Sequence, residues 1–412
     1  MKKRYILFIT LFAINTLHAQ WIWQNSNESA DVLYNCFFTS ADTGYAFTSF
    51  SFVKTTNGGT TWTYHTIPFL QQNINSIYFT DANTGYFTTE KGWIYKTSNG
   101  GNSWGYQVSG TNKNLYSVFF ATKDTGYIVG DSGIILKTTN GGALWTIQTS
   151  GTSWPLVSVC FVNADTGYAA GGDGNWWGNG SVVLKTTNGG NSWTSLPTGT
   201  SYNFAKVFFV NVDTGFAIVD SGYSSRILKT TDGGNSWTIK NMCFGYDLFR
   251  SLSFPDADIG YVTNGYFLLK TSNGGDSWVI QSPESSEGYF YSVYFVNPDT
   301  GYAVGFSGPA SYGAVIKTTN GGGFAVGSDE LHPASGMFTI SPNPASDKII
   351  VETSEVTFPA VLSILNLNSQ ELIQETVDKT STPIDISALP GGVYIVRLTG
   401  ERSVQVGKVV KD

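Results

Sequence analysis

One pattern recurs seven times along this chain and limits what it can fold into. An apolar stretch leads to Asp-Thr-Gly-Tyr or a close variant, and a second apolar stretch follows. The unit ends in a segment such as Lys185-Thr186-Thr187-Asn188-Gly189-Gly190-Asn191-Ser192-Trp193. The glycine of the first motif stands at Gly44, Gly85, Gly126, Gly167, Gly215, Gly260 and Gly301, in steps of 41, 41, 41, 48, 45 and 41 residues. A period of this size marks a stacked or radial array of small supersecondary units. The apolar stretches are strand-length, such as Ser117-Val118-Phe119-Phe120, and show no helical spacing. Four short strands per unit, repeated seven times, predict an all-β chain whose main body is a seven-bladed β-propeller over residues 20–325. Composition agrees: 47 glycines supply turns, and 13% charged with 15% aromatic residues argues against coiled coil and disorder.

The end of each unit has its own chemistry. Asn188-Gly189 is a tight-hairpin signal, because both residues tolerate positive φ. The short polar side chains around it can bond the turn backbone, and the tryptophan anchors the outer strand in apolar packing. This segment resembles the Asp-box (BNR) repeat of sialidase-type and sortilin-type propellers. With the Asp-Thr-Gly-Tyr element it is more specifically similar to the propellers of photosystem II stability and assembly factors. The resemblance implies that these residues are folding elements. Asn, or Asp232 in one copy, stands at the Asp position, and Leu144 replaces the hydroxyl residue of the third copy.

The seventh copy stops at Lys317-Thr318-Thr319-Asn320-Gly321-Gly322 and has no tryptophan strand after it. The segment Trp21-Ile22-Trp23-Gln24-Asn25-Ser26 matches the repeat end Trp145-Thr146-Ile147-Gln148-Thr149-Ser150. The N-terminal strand is therefore expected to complete the seventh blade, so that no sheet edge is left open.

Length variation is concentrated between the second and third strands, with the longest connections in units four, five and seven. They hold 171–180, 220–226 and 306–313. These connections share one end of the strands with the unit-to-unit segments, and loops on a rigid scaffold commonly carry function. The candidate ligand-binding residues at this end are Trp154, Trp176, Trp177, Tyr202, Tyr223 and Tyr246, whose flat apolar faces and polar tips suit a sugar or a peptide. The expected ligand is a glycan or a protein.

Catalysis is not expected. The sialidase resemblance does not extend to that family's arginine triad, since only Arg226 and Arg250 lie between Gln20 and the linker. His65 is the one histidine in the repeats: a Ser-His-Asp relay would have to use it, in a strand position after Trp62, and a histidine metal cluster lacks ligands. No catalytic residue, metal or cofactor is assigned. The alternative is a carbohydrate-active hydrolase using paired carboxylates among the non-repeating Glu90, Asp131, Asp173, Asp220 and Asp247. A formal charge of −7 without a basic run speaks against nucleic acid as a partner. Cys36, Cys160 and Cys243 are expected to be free thiols.

Both ends of the chain read as addresses. Residues 1–19 pair the basic Lys2-Lys3-Arg4 with a short apolar run, the layout of a secretory signal peptide, and no later stretch is long and apolar enough for a transmembrane segment. After a linker at 326–337, residues 338–412 show short alternating strands, expected to form a small Ig-like β-sandwich. Here Pro342, Asn343, Pro344, Gly392, Tyr394 and Lys408 belong to motifs (Ser341-Pro342-Asn343-Pro344-Ala345, Leu389-Pro390-Gly391-Gly392-Val393-Tyr394 and Lys408-Val409-Val410-Lys411) that resemble the type A C-terminal sorting domain of type IX secretion. The resemblance implies handling by the type IX machinery through 338–412 and delivery outside the cell or to the outer-membrane surface.

Overall fold

The computed structural model describes residues 21–24, 31–68, 70–175, 180–222, 224–244, 248–281, 288–308, 312–322, 339–353, 360–366, 371–399 and 404–412. Its contacts divide the chain into two compact units, up to Gly327 and from Ser328 onward. The described residues are all-β, with no α-helix and two 3-10 turns at Glu90–Gly92 and Asp131–Gly133.

The first unit consists of seven four-stranded antiparallel sheets among the described residues, one per sequence repeat. Sheet 1 is Asn35–Phe38, Gly44–Phe47, Ser51–Thr55 and Thr63–Thr66, and sheets 2, 3 and 4 follow in 74–107, 115–148 and 156–196. Sheet 5 is Asn203–Phe209, Gly215–Ser221, Ser224–Thr230 and Thr238–Phe244, and sheet 6 is Ser251–Ser253, Gly260–Asn264, Phe267–Thr271 and Val279–Gln281. Sheet 7 uses Gly288–Phe295, Gly301–Ser307, Tyr312–Thr318 and the N-terminal strand Ile22–Gln24. The first strand of each sheet touches the first strand of the next, and that of sheet 7 touches that of sheet 1. Second strands are buried along nearly their whole length, because a neighbouring sheet covers each face.

The repeated residues join one sheet to the next. The aromatic residue after each motif glycine, tyrosine in six repeats and Phe216 in the fifth, stacks on a phenylalanine of the following sheet, as in Tyr45–Phe79 (4.0 Å), Tyr127–Phe161 (3.9 Å) and Tyr168–Phe209 (3.4 Å). Tyr302 of sheet 7 does the same with Phe38 of sheet 1, at 3.7 Å. Its hydroxyl and the repeat lysine also reach forward: Tyr86 Oη and Lys96 Nζ both donate to the Gly141 carbonyl, at 2.8 and 2.7 Å. Lys317 donates to the Gly58 carbonyl at 2.7 Å, linking sheet 7 to sheet 1. Innermost strands expose an unpaired row of backbone groups, and a serine of the preceding sheet caps part of it. Ser76, Ser117 and Ser158 hydroxyls accept from the amides of Val118, Val159 and Val207.

The box itself is a local hydrogen-bond cage. Thr186 Oγ1 accepts from the Gly190 amide at 2.8 Å, and Asn188 Oδ1 accepts from the Ser192 amide at 3.0 Å. Gly190 has φ +76°, and a Cβ there would lie 2.7 Å from the Tyr127 ring, so a side chain is excluded twice over. Each box tryptophan meets a core phenylalanine edge-on, as Trp145 meets Phe120 at 82°.

In sheet 7 that tryptophan comes from the other end of the chain. Ile22, Trp23 and Gln24 pair with Lys317, Ile316 and Val315, and Trp21 meets Phe295 at 5.7 Å and 89°.

The structure corrects the reading of two long connections. In sheets 5 and 7 the extra residues extend the hairpin instead of forming loops: Asp220 pairs with Ser225, and Phe306 with Gly313. Pairing satisfies backbone groups that an open loop would leave to solvent. In sheet 4, the Asp173 amide donates to the Gly180 carbonyl at 3.1 Å beyond the paired strands. Cys36, Cys160 and Cys243 form no disulfide, the first two buried and the third half-buried. Burial pushes the Cys36 thiol up to about 12, so it is protonated and unreactive at neutral pH.

The second unit has a three-stranded sheet, Thr339–Ser341, Lys348–Glu352 and Ser381–Asp385, and a four-stranded sheet in the order Glu371–Val377, Ala360–Leu365, Gly392–Thr399, Val404–Lys411. The strands at Thr339–Ser341 and Ser381–Asp385 carry no clear alternation in the sequence. Ile349, Val351, Leu362, Ile364, Val396 and Leu398 form its core.

Candidate functional site

The two ends of the seven sheets differ. At one end sit the Asp-Thr-Gly and box turns, whose polar groups are used up in the cages described above. At the other end, the variable one, large aromatic side chains are exposed: Tyr34, Phe50, Trp154, Tyr266, Phe267 and Tyr312.

Buried polar atoms without a hydrogen-bond partner among the described residues also gather there, in sheets 5 and 6. They are Asn203 Oδ1, Asp220 Oδ1, Ser224 Oγ, Ser225 Oγ, Arg226 Nε, Thr263 Oγ1 and Asn264 Oδ1. Strand alternation explains the placement. Phe216 and Ile218 pack toward sheet 6 with Leu252 and Val262, so Asp220, two residues further along, points the same way. Burial pushes the Asp220 carboxyl up to about 6, against the lowering effect of Ser225 and of Arg250.

Glu90, Asp131 and Asp220 each stand five residues after their repeat's Asp-Thr-Gly glycine. Their surroundings separate them. Glu90 accepts from Asn73 Nδ2 at 3.2 Å in an exposed turn. Asp131 accepts from Tyr116 Oη at 2.8 Å, beside an open cleft of about 500 Å³ lined also by Ile147 and Thr152. Of the three, Asp220 is the one held in a low-dielectric setting.

Of the sequence-marked residues, Trp154 is 39% exposed and lies over Gly180, where a Cβ would come within 2.4 Å of its ring. Tyr202 is half-buried under Arg226, whose guanidinium carbon is 4.1 Å from the ring centroid and whose Nη2 donates to Tyr202 Oη at 2.8 Å. Asn203 joins this corner to sheet 4 by donating to the Asn175 carbonyl at 2.7 Å. Trp176, Trp177, Tyr223, Tyr246 and Asp247 lie outside the described residues, as do residues 1–20 and the segment 323–338.

Sequence reasoning missed a second aromatic group on sheets 6, 7 and 1. Tyr34, Tyr291, Tyr289 and Tyr266 form a row with successive centroid separations of 5.1, 5.0 and 5.2 Å. Phe306 stacks on Tyr289 at 5.4 Å, and Arg250 Nη2 donates to Tyr289 Oη at 3.4 Å. A signal existed: the position ten residues before each Asp-Thr-Gly glycine reads Tyr34, Asn75, Tyr116, Val157, Ala205, Arg250 and Tyr291, varied in chemistry where the rest of the strand is uniform.

In the second unit the sorting motifs hold the chain's last strand. Asn343 Oδ1 accepts from the Val410 amide at 2.8 Å, the Ala345 amide donates to the Val410 carbonyl at 2.8 Å, and Lys411 Nζ donates to the Ser346 carbonyl. Pro342 and Pro344 flank Asn343, and Tyr394, buried, donates to the Pro390 carbonyl at 2.6 Å. Gly392 and Lys408 lie on the paired strands Gly392–Thr399 and Val404–Lys411.

The family model described as the secretion system C-terminal sorting domain matches residues 339–412. Residues 339–412 are a type IX sorting domain. That domain directs export to the cell surface or the extracellular space, and among the described residues no helix is long and apolar enough to cross a membrane. The model of the photosynthesis system II assembly factor YCF48 matches residues 107–202 within the repeats. Among solved structures, YCF48 bound to D1 peptide is similar at 18% identity and a TM-score of 0.57, over 73% of this chain and 97% of that one. The GH74 enzyme of Niastella koreensis is similar at 14% identity and 0.57, over 94% and 74%. PorZ, a surface component of the type IX system of Porphyromonas gingivalis, is similar at 11% and 0.50, over 94% and 60%. None of the curated proteins compared matches the chain. At these identities the structural likeness is one of fold. The repeats thus share the fold of propellers such as YCF48, residues 107–202 match the assembly-factor model, and residues 339–412 match the sorting domain.

Proposed function

We propose that this chain is a binding protein exported by the type IX system. In this reading a signal peptide at 1–19 is followed by a seven-bladed propeller over 20–325, closed by its own N-terminal strand. A linker at 326–337 leads to an Ig-like sandwich at 338–412. Seven sheets in cyclic contact and the pairing of Ile22–Gln24 with sheet 7 support the closed ring.

The variable end binds a glycan or a protein, and one observation carries this: exposed aromatics are concentrated there, together with the partnerless buried polar groups of sheets 5 and 6, whereas at the opposite end the partnerless groups are the indole N–H of the packed box tryptophans. Trp154 and Tyr202 belong to this face, and the proposal extends to Trp176, Trp177, Tyr223 and Tyr246. Screening the full mature chain against glycan and surface-protein panels tests it, with binding expected and turnover absent. Loss of binding on Trp154→Ala supports the assignment, and binding unaffected by any variable-end substitution contradicts it.

A hydrolase is the second reading, and Asp220 favours it. A carboxyl raised toward neutral pH suits a general acid, and a neighbour of the same fold is a GH74 enzyme. Product formation abolished by Asp220→Asn supports this alternative.

A further inference from the structure

We propose that the tyrosine row Tyr34–Tyr291–Tyr289–Tyr266 and Arg250 together bind a largely neutral glycan that carries a carboxylated sugar, its ring faces on the tyrosines and its carboxylate on Arg250. The inference rests on the reading of the variable end as a binding face and goes beyond it in naming a site and a ligand class. The row crosses three sheets, so it fits an extended ligand better than a single small molecule. Tyr34 and Tyr266 are 44% and 50% exposed, and their rings offer apolar faces with hydroxyls at the edge, matching the alternation of C–H faces and hydroxyls on a pyranose.

Arg250 supplies the charge. It is exposed, belongs to no ion pair among the described residues, and spends a single long hydrogen bond on Tyr289. Its planar fork of donors matches a carboxylate in two parallel bonds. The groups nearby select against a highly charged chain. Asp220 acts electrostatically on Arg250 from sheet 5, and the whole chain carries −7. One cation among acceptors suits one carboxylate among many hydroxyls, and disfavours an acidic peptide with several carboxylates.

Calorimetry with the full mature chain tests this. The probes are a glucuronate-bearing xylo-oligosaccharide and sialyl-lactose, each with its carboxyl-reduced form, and a Glu-rich pentapeptide. The expected result is binding of at least one carboxylated sugar about tenfold or more tighter than its reduced form. Arg250→Gln should bring the two forms to equal affinity, while Tyr34→Ala and Tyr289→Ala weaken both by about tenfold. Tyr106→Ala, on the outer strand of sheet 2, should change nothing. Equal binding of carboxylated and reduced forms, no binding of either sugar, discrimination that survives Arg250→Gln, or preference for the pentapeptide overturns the proposal. In each of those cases, binding to other members of the wider panels would leave the general binding function standing.

Discussion

Replacing Trp21 by alanine should destabilise the first unit as strongly as removing a tryptophan from the middle of a repeat. Trp21 is 3% exposed and packs among Tyr261, Phe290, Val293 and Phe295, with edge-on contacts to Tyr261 and Phe295 at 6.4 and 5.7 Å. Its indole Nε1 has no hydrogen-bond partner among the described residues, so the loss is one of packing alone. Truncating a buried tryptophan to alanine costs about 3–5 kcal/mol, including the cavity left behind. Trp145, 5% exposed and edge-on to Phe120, is the internal reference, and Trp145→Ala should cost a similar amount. Ile22, next along the same strand, is 56% exposed, and Ile22→Ala should cost about 0.5 kcal/mol or less. Urea unfolding of the chain from residue 20 onward, followed by tryptophan fluorescence and circular dichroism, measures all three at matched m-values. A midpoint unchanged by Trp21→Ala beside a large drop for Trp145→Ala would refute the idea that the N-terminal strand completes sheet 7.

Other expectations follow from the same contacts. Asp220 has a higher pKa folded (about 6) than its ordinary 3.8, so the native state holds a proton that the unfolded chain releases between those values. Stability should therefore fall as pH rises from about 4 to 6 and level off above; Asp220→Asn should stabilise by about 1–2 kcal/mol at pH 7.5, with the gain vanishing near pH 4, as denaturation at both pH values will reveal. Gly190→Ala forces a side chain into a left-handed turn against Tyr127 and should cost more than about 1 kcal/mol by urea midpoint. Asn343→Ala leaves the Val410 amide without its acceptor and should speed hydrogen exchange of the Val404–Lys411 strand and reduce the secreted fraction, whereas exchange as slow as wild type would count against the clamp.

How far the sequence alone led can be argued from particular residues. The strands and their grouping were legible because glycine turns recur at fixed offsets: Gly189-Gly190 and its counterparts adopt positive φ in each repeat, which few other residues tolerate. Trp21 was legible as a displaced repeat end, since its neighbours match those after Trp145. The forward reach of Lys96 and Tyr86 to one carbonyl was not, because period and pattern say nothing about which sheet a side chain joins. The variable end was legible as a place and only in part as chemistry. Extra residues between Asp220 and Arg226 looked like a loop, yet backbone pairing extended the hairpin. The tyrosine row was hidden because Tyr34, Tyr266 and Tyr289 are far apart in sequence and meet only when sheets 6, 7 and 1 adjoin. The burial of Asp220 depends likewise on sheet 6, not on its own strand.

The most direct measurement is hydroxyl-radical footprinting of the full mature chain, with and without the tightest ligand from the panels. Protection confined to variable-end residues such as Tyr34, Trp154, Tyr266 and Tyr312, with the box turns around Trp62, Trp104 and Trp145 unchanged, is the predicted result. Protection of the box turns with the variable end still fully reactive would contradict the account.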